Sequence, residues 1–113
     1  MARKDKEPDN SELLNSFWRR NTFHDMPIES INRVSGRVNV VLDEYVLSLT
    51  NATKFIQKID EFPDVWLYEK LKKLDAGLQL TVTTGTGSFV VNFVNIRLVR
   101  RLDYAILIPP VDD

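Results

Sequence analysis

Residues 78–108 read LQLTVTTGTGSFVVNFVNIRLVRRLDYAILI, and this stretch, Leu78 to Ile108, decides the fold. In Leu78–Thr83 apolar and polar residues alternate strictly. A strand has period two, so Leu78, Leu80 and Val82 share one face and Gln79, Thr81 and Thr83 the other. Thr84-Gly85-Thr86-Gly87-Ser88 supplies the glycines and small polar residues of a hairpin loop. The next strand, Phe89–Arg101, begins with Phe89, Val91 and Phe93 on one parity and continues with Val94, Ile96 and Leu98 on the other. One straight strand cannot bury both sets on one face, so a bulge or bend is expected near Phe93–Val94. Its thirteen residues would span roughly 43 Å, far beyond a typical strand of about 17–20 Å. Such a strand suits a curled sheet or partial barrel; burial on both faces is the alternative. Arg100–Asp103 reads as a turn. Tyr104–Ile108 reads as a short central strand that Pro109-Pro110 ends.

Working outward, residues 1–8 read as a flexible arm, 9–110 as one domain and 111–113 as an acidic tail. Leu13, Leu14, Phe17 and Trp18 form a helical stripe over Asn10–Asn21, with Arg19 and Arg20 at the end that favours cations. Ile28, Ile31 and Val34 suggest a helical turn. Arg37–Thr50 is a second β-rich block whose parity changes at Asp43-Glu44; a hairpin and one bulged strand both fit. Phe55, Ile56, Ile59 and Phe62 favour a helix, with a strand over Lys54–Ile59 as the alternative. Leu67, Leu71 and Leu74 predict a helix over Val65–Asp75, stopped by Ala76-Gly77. The expected class is α+β: a curved, mainly antiparallel sheet of about five strands, possibly curled into a small partial barrel, carrying these two helices.

The chain has 113 residues, 27% charged, with formal net charge −1 and no cysteine. This argues against a dominantly electrostatic partner, removes disulfides and thiolate chemistry, and fits a reducing, cytoplasmic setting. The N-terminus has no apolar signal core, and no apolar run spans a membrane. Asn51-Ala52-Thr53 matches a glycosylation pattern by chance.

No motif carries recognisable chemistry. His24-Asp25, with Glu29 nearby, is the one place where the histidine meets carboxylates, without a second histidine or a nucleophile motif. The adjacent carboxylates Asp43-Glu44 and Asp60-Glu61 read as turn and surface charge. Gly85-Thr86-Gly87 superficially matches a phosphate-binding loop, but a strand follows rather than a helix. No catalytic residue, cofactor or metal is therefore expected. The first functional expectation is a non-enzymatic protein-interaction module, self-associating, that offers the aromatics Phe17, Trp18 and Trp66 to a protein partner. The alternative is a single-stranded nucleic-acid binder using Arg19, Arg20, Arg97, Arg100 and Arg101. An enzyme built on His24 ranks third.

Overall fold

The computed structural model describes residues 10–110; the expected arm and acidic tail lie outside the described residues. Helix α1 (Asn10–Arg20) precedes nine strands: β1 (Met26–Val34), β2 (Arg37–Leu42), β3 (Tyr45–Thr50), β4 (Lys54–Lys58), β5 (Asp64–Leu74), β6 (Gly77–Thr84), β7 (Ser88–Phe93), β8 (Asn95–Arg100) and β9 (Ile106–Ile108). All belong to one open sheet of order β4-β7-β6-β5-β1-β2-β3-β8-β9. Every ladder in it is antiparallel.

The expected phase change at Phe93–Val94 is a break between two strands. β7 and β8 are one run of chain broken at Val94, whose side chain is exposed while Phe89, Val91, Phe93, Ile96 and Leu98 are all buried. The facing run breaks too, at Asn51, which adopts φ +55°. β3 pairs with β8 and β4 with β7, so residues 45–58 run antiparallel to 88–100 through both bends. The Val94 N–H donates to the Thr50 carbonyl (3.0 Å) and the Thr53 N–H to the Asn92 carbonyl (2.9 Å), stitching the corner. Covalent continuity thus joins two halves that stand far apart in the hydrogen-bonded order.

Five expectations are corrected. The helix over 65–75 is strand β5. β6 pairs with β7 on one side, and on the other β5 lies one short turn away, paired from Leu74↔Gly77 back to Trp66↔Thr84 through a register shift between Trp66 and Tyr68. This pairing overrides the helical spacing of Leu67, Leu71 and Leu74. Gly77 makes the turn at φ +119°. The segment favoured as a helix at 55–62 is the alternative strand, β4, paired along Ser88–Asn92. The helical turn at 28–34 is β1, which Ser35 (φ +46°) and Gly36 (φ +78°) join to β2 through two left-handed residues, the signature of a tight hairpin turn. The terminal strand, expected to be central, is the last in the order. Asp43-Glu44 proves to be a hairpin turn, with Val41 opposite Val46. Among the described residues there are nine strands rather than about five, and one helix.

The apolar faces of the strands meet in one core, closed by α1 through Leu14. Beneath the helix Phe23 is the hub of an aromatic cluster: its ring lies 5.0 Å from Trp66, 5.4 Å from Tyr45, 5.7 Å from Trp18 and 6.0 Å from Phe17. Three of these pairs are edge-to-face and Phe23–Tyr45 is tilted; such aromatic pairs contribute about 0.5–1.5 kcal/mol each beyond their burial.

Candidate interaction site

The three aromatics expected to face a partner are brought together, but inwards. Trp66 is fully buried, and Phe17 and Trp18 are partly buried against the core. The Trp66 indole N–H donates to Glu69 Oε1 (2.7 Å). The buried Trp18 N–H has no hydrogen-bond partner among the described residues. Amphipathic spacing signals a buried stripe, and here the core is what buries it.

The arginines separate in the fold. Arg19 and Arg20 are exposed at the end of α1, and Arg97 is exposed on β8. Arg100 and Arg101 are both committed to carboxylates. Arg100 forms a fork onto Asp103, with Nε to Oδ1 and Nη2 to Oδ2 each 3.0 Å. That fork, with the Ala105 N–H, holds the Asp103 carboxyl below the usual carboxylate range. Arg101 Nη1 lies 2.9 Å from Glu29 Oε2 and donates to the Leu42 carbonyl at 2.7 Å. Its backbone N–H donates to the Glu44 carbonyl at 2.9 Å.

These contacts build a site that sequence reasoning missed. Arg101 ties the β8–β9 turn to the β2–β3 turn and to β1, and the Arg100–Asp103 fork stiffens the turn itself. Between the turns opens a cleft of about 810 Å³ lined by Glu29, Asp43, Glu44, Val46, Val99, Arg100, Arg101, Leu102 and Tyr104. Its apolar part includes the cross-strand pair Val46 and Val99. Its rim carries Leu102, 88% exposed, and Tyr104, 81% exposed, with Ile106 half-exposed next along the chain. Tyr104 holds φ +60°, a left-handed conformation unusual for an aromatic residue. Beside the cleft, burial and then the Glu44 charge push the Tyr45 phenol above its ordinary range, against the opposing effect of Arg100. The available signal was two large apolar residues inside a turn, where polar residues are the rule.

His24 occupies a separate recess of about 370 Å³ with Thr22, Leu67, Tyr68 and Glu69. Its Nδ1 lies 2.6 Å from the Leu67 carbonyl, so that nitrogen carries the proton; Nε2 faces Asp25 Oδ2 at 3.5 Å. Glu29 is engaged with Arg101 instead. Among the described residues no three His, Cys, Asp or Glu side chains group to hold a metal ion.

The Gly85-Thr86-Gly87 loop does cradle an anion, and the anion is internal. The buried Asp64 carboxylate accepts from the Val65 N–H (2.7 Å), the Thr86 N–H (3.1 Å) and the Thr86 hydroxyl (2.7 Å). Burial pushes its carboxyl up, but these bonds, with one from Thr84, outweigh it and hold it below the usual range.

Comparison of the chain with known protein families, with curated proteins and with solved structures finds no match to any of them.

Proposed function

We propose that this chain is a non-enzymatic protein-interaction module that grips its partner with the β8–β9 turn. The observation that carries the reading is the exposure of Leu102 and Tyr104 on a turn clamped at both ends. Exposed apolar side chains normally occur singly; two on one turn, beside an apolar-floored cleft, are the composition of an interface anchor. Clamping lowers the ordering cost of binding, and the left-handed Tyr104 is the kind of strain that collects at functional positions. The cleft lining includes no serine, threonine, cysteine or histidine that would pair as nucleophile and base. No observation favours the nucleic-acid alternative, since Arg100 and Arg101 are already neutralised.

The test compares wild type with a Leu102→Ser/Tyr104→Asn variant; asparagine tolerates the left-handed backbone that Tyr104 adopts. Both proteins are immobilised in nuclease-treated extract at 0.5 M salt. A discrete protein retained by wild type and lost from the variant supports the module. Equal retention by both removes the turn from the interface. Binding to a purified oligonucleotide that weakens steeply with salt would favour the nucleic-acid reading instead.

A further inference from the structure

We infer that the cleft takes an extended partner segment in which a lysine or arginine stands beside aliphatic side chains. This rests on the interaction-module reading above and specifies the partner's chemistry. The argument is charge complementarity across an apolar groove. Three carboxylates and two guanidiniums line the cleft. Both guanidiniums are taken: Arg101 by Glu29 and Arg100 by Asp103. Asp43 and Glu44, adjacent on the β2–β3 turn and exposed, have no ion-pair partner among the described residues. The uncompensated field on that wall is therefore negative.

The opposite wall is apolar. Leu102 and Tyr104 face the aliphatic part of a ligand, with Val46 and Val99 also in the lining. The exposed face of the Tyr104 ring also attracts a cation. A segment bearing one positive head and aliphatic neighbours satisfies both walls together. A polyanionic ligand meets Asp43 and Glu44 as like charges, and a purely apolar one leaves those two carboxylates without a counter-charge.

The probe is the peptide acetyl-Leu-Arg-Leu-Lys-Leu-amide, titrated into the full ¹⁵N-labelled chain. Controls replace both cations with glutamine or with glutamate. Expected is perturbation of the Val46, Val99, Leu102 and Tyr104 amides, with the cationic peptide at least tenfold tighter than the glutamine one at 50 mM salt. The margin collapses at 0.5 M salt, where the screening length is only a few ångströms. An Asp43→Asn/Glu44→Gln variant loses about tenfold for the cationic peptide, a few-fold per carboxylate, and nothing for the glutamine peptide. Leu102→Ser/Tyr104→Asn loses both.

Equal binding of the cationic and glutamine peptides at these amides overturns the charge inference and leaves the module reading standing. Tightest binding by the glutamate peptide overturns it outright. If no peptide moves these amides but sedimentation shows a dimer that Leu102→Ser dissociates, the occupant is a second copy of the chain and the cationic-segment inference falls. If no peptide moves them and the chain sediments as a monomer, the inference is overturned and the module reading loses the cleft as its site.

Discussion

Replacing Asp64 with alanine should weaken the protein by about 3–4 kcal/mol at neutral pH. The carboxylate accepts three hydrogen bonds of 2.7–3.1 Å from Val65 and Thr86. Hydrogen bonds to a charged group are worth about 1.5–3 kcal/mol each, but water replaces part of that wherever it can reach. Thr86 is exposed, so water restores most of its two bonds; Val65 is half-buried and its N–H is left unpaired. The sum is about 3–4 kcal/mol, or a fall in Tm of roughly 12–16 °C for a domain of this size. Asp64→Asn keeps one acceptor but turns a donor towards Thr86, and should cost about 2 kcal/mol. The two variants also separate from wild type in their pH dependence. The native pKa of Asp64 lies below its ordinary value of 3.8. Between the two values the unfolded chain holds the extra proton, so the contribution is whole above the ordinary value and is lost as pH falls through the depressed one. Urea unfolding at pH 7 and at stepwise lower pH reads both effects. A destabilisation under about 0.5 kcal/mol for Asp64→Asn at pH 7, or a gap from wild type that does not narrow in acid, would refute the reasoning.

Four further substitutions test the fold. Phe23→Ala empties the hub of the aromatic cluster and should cost about 3–5 kcal/mol, read by urea unfolding together with loss of the near-ultraviolet circular dichroism of its aromatic neighbours. Gly77→Ala brings a Cβ against the Phe93 carbonyl oxygen at φ +119°, whereas a Cβ on Gly36 meets nothing within 4 Å. Thermal melts should therefore show Gly77→Ala as the worse of the two, with Gly36→Ala costing only the left-handed penalty of about 1–2 kcal/mol. Ser35→Asn places a residue that favours left-handed geometry at φ +46° and should stabilise the protein by about 0.5 kcal/mol or somewhat more, read as a higher urea midpoint.

The break near Val94 was legible in parity: Phe89, Val91 and Phe93 share one buried face with Ile96 and Leu98 only if the run breaks between them, and of the two readings the sequence allowed, the break is the one observed. β5 was not legible as a strand. Beyond Trp66 its outer part is mostly solvent-facing, so alternation lapses and Leu71 and Leu74 keep an accidental helical spacing. The end strand misled for the opposite reason. A continuous apolar run normally means burial on both faces, whereas Ile106 and Tyr104 are exposed. The same exposure marks the candidate site, so the misreading of the strand and the failure to see the cleft share one cause. Arg100 and Arg101 stood out as cations, but the partner that occupies Arg101 is Glu29, a residue no local pattern connects to it. The glycine loop was rightly read as a hairpin, and only the fold reveals that Asp64 supplies its anion.

The long ribbon of residues 45–58 against 88–100 also sets an order of events during synthesis. β4 has a single ladder partner, β7, and β3 has β2 on one side and β8 on the other. As the chain leaves the ribosome, β4 therefore waits unpaired and β3 waits half-paired until the residues after the glycine loop have emerged. Helix α1 waits longest. It precedes every strand of the sheet, yet it packs on β8 and β9, the last two of them. Phe17 and Trp18 meet Phe23, Tyr45 and Trp66 early, but the part of the helix that packs on β8 and β9 stays uncovered until those strands have emerged.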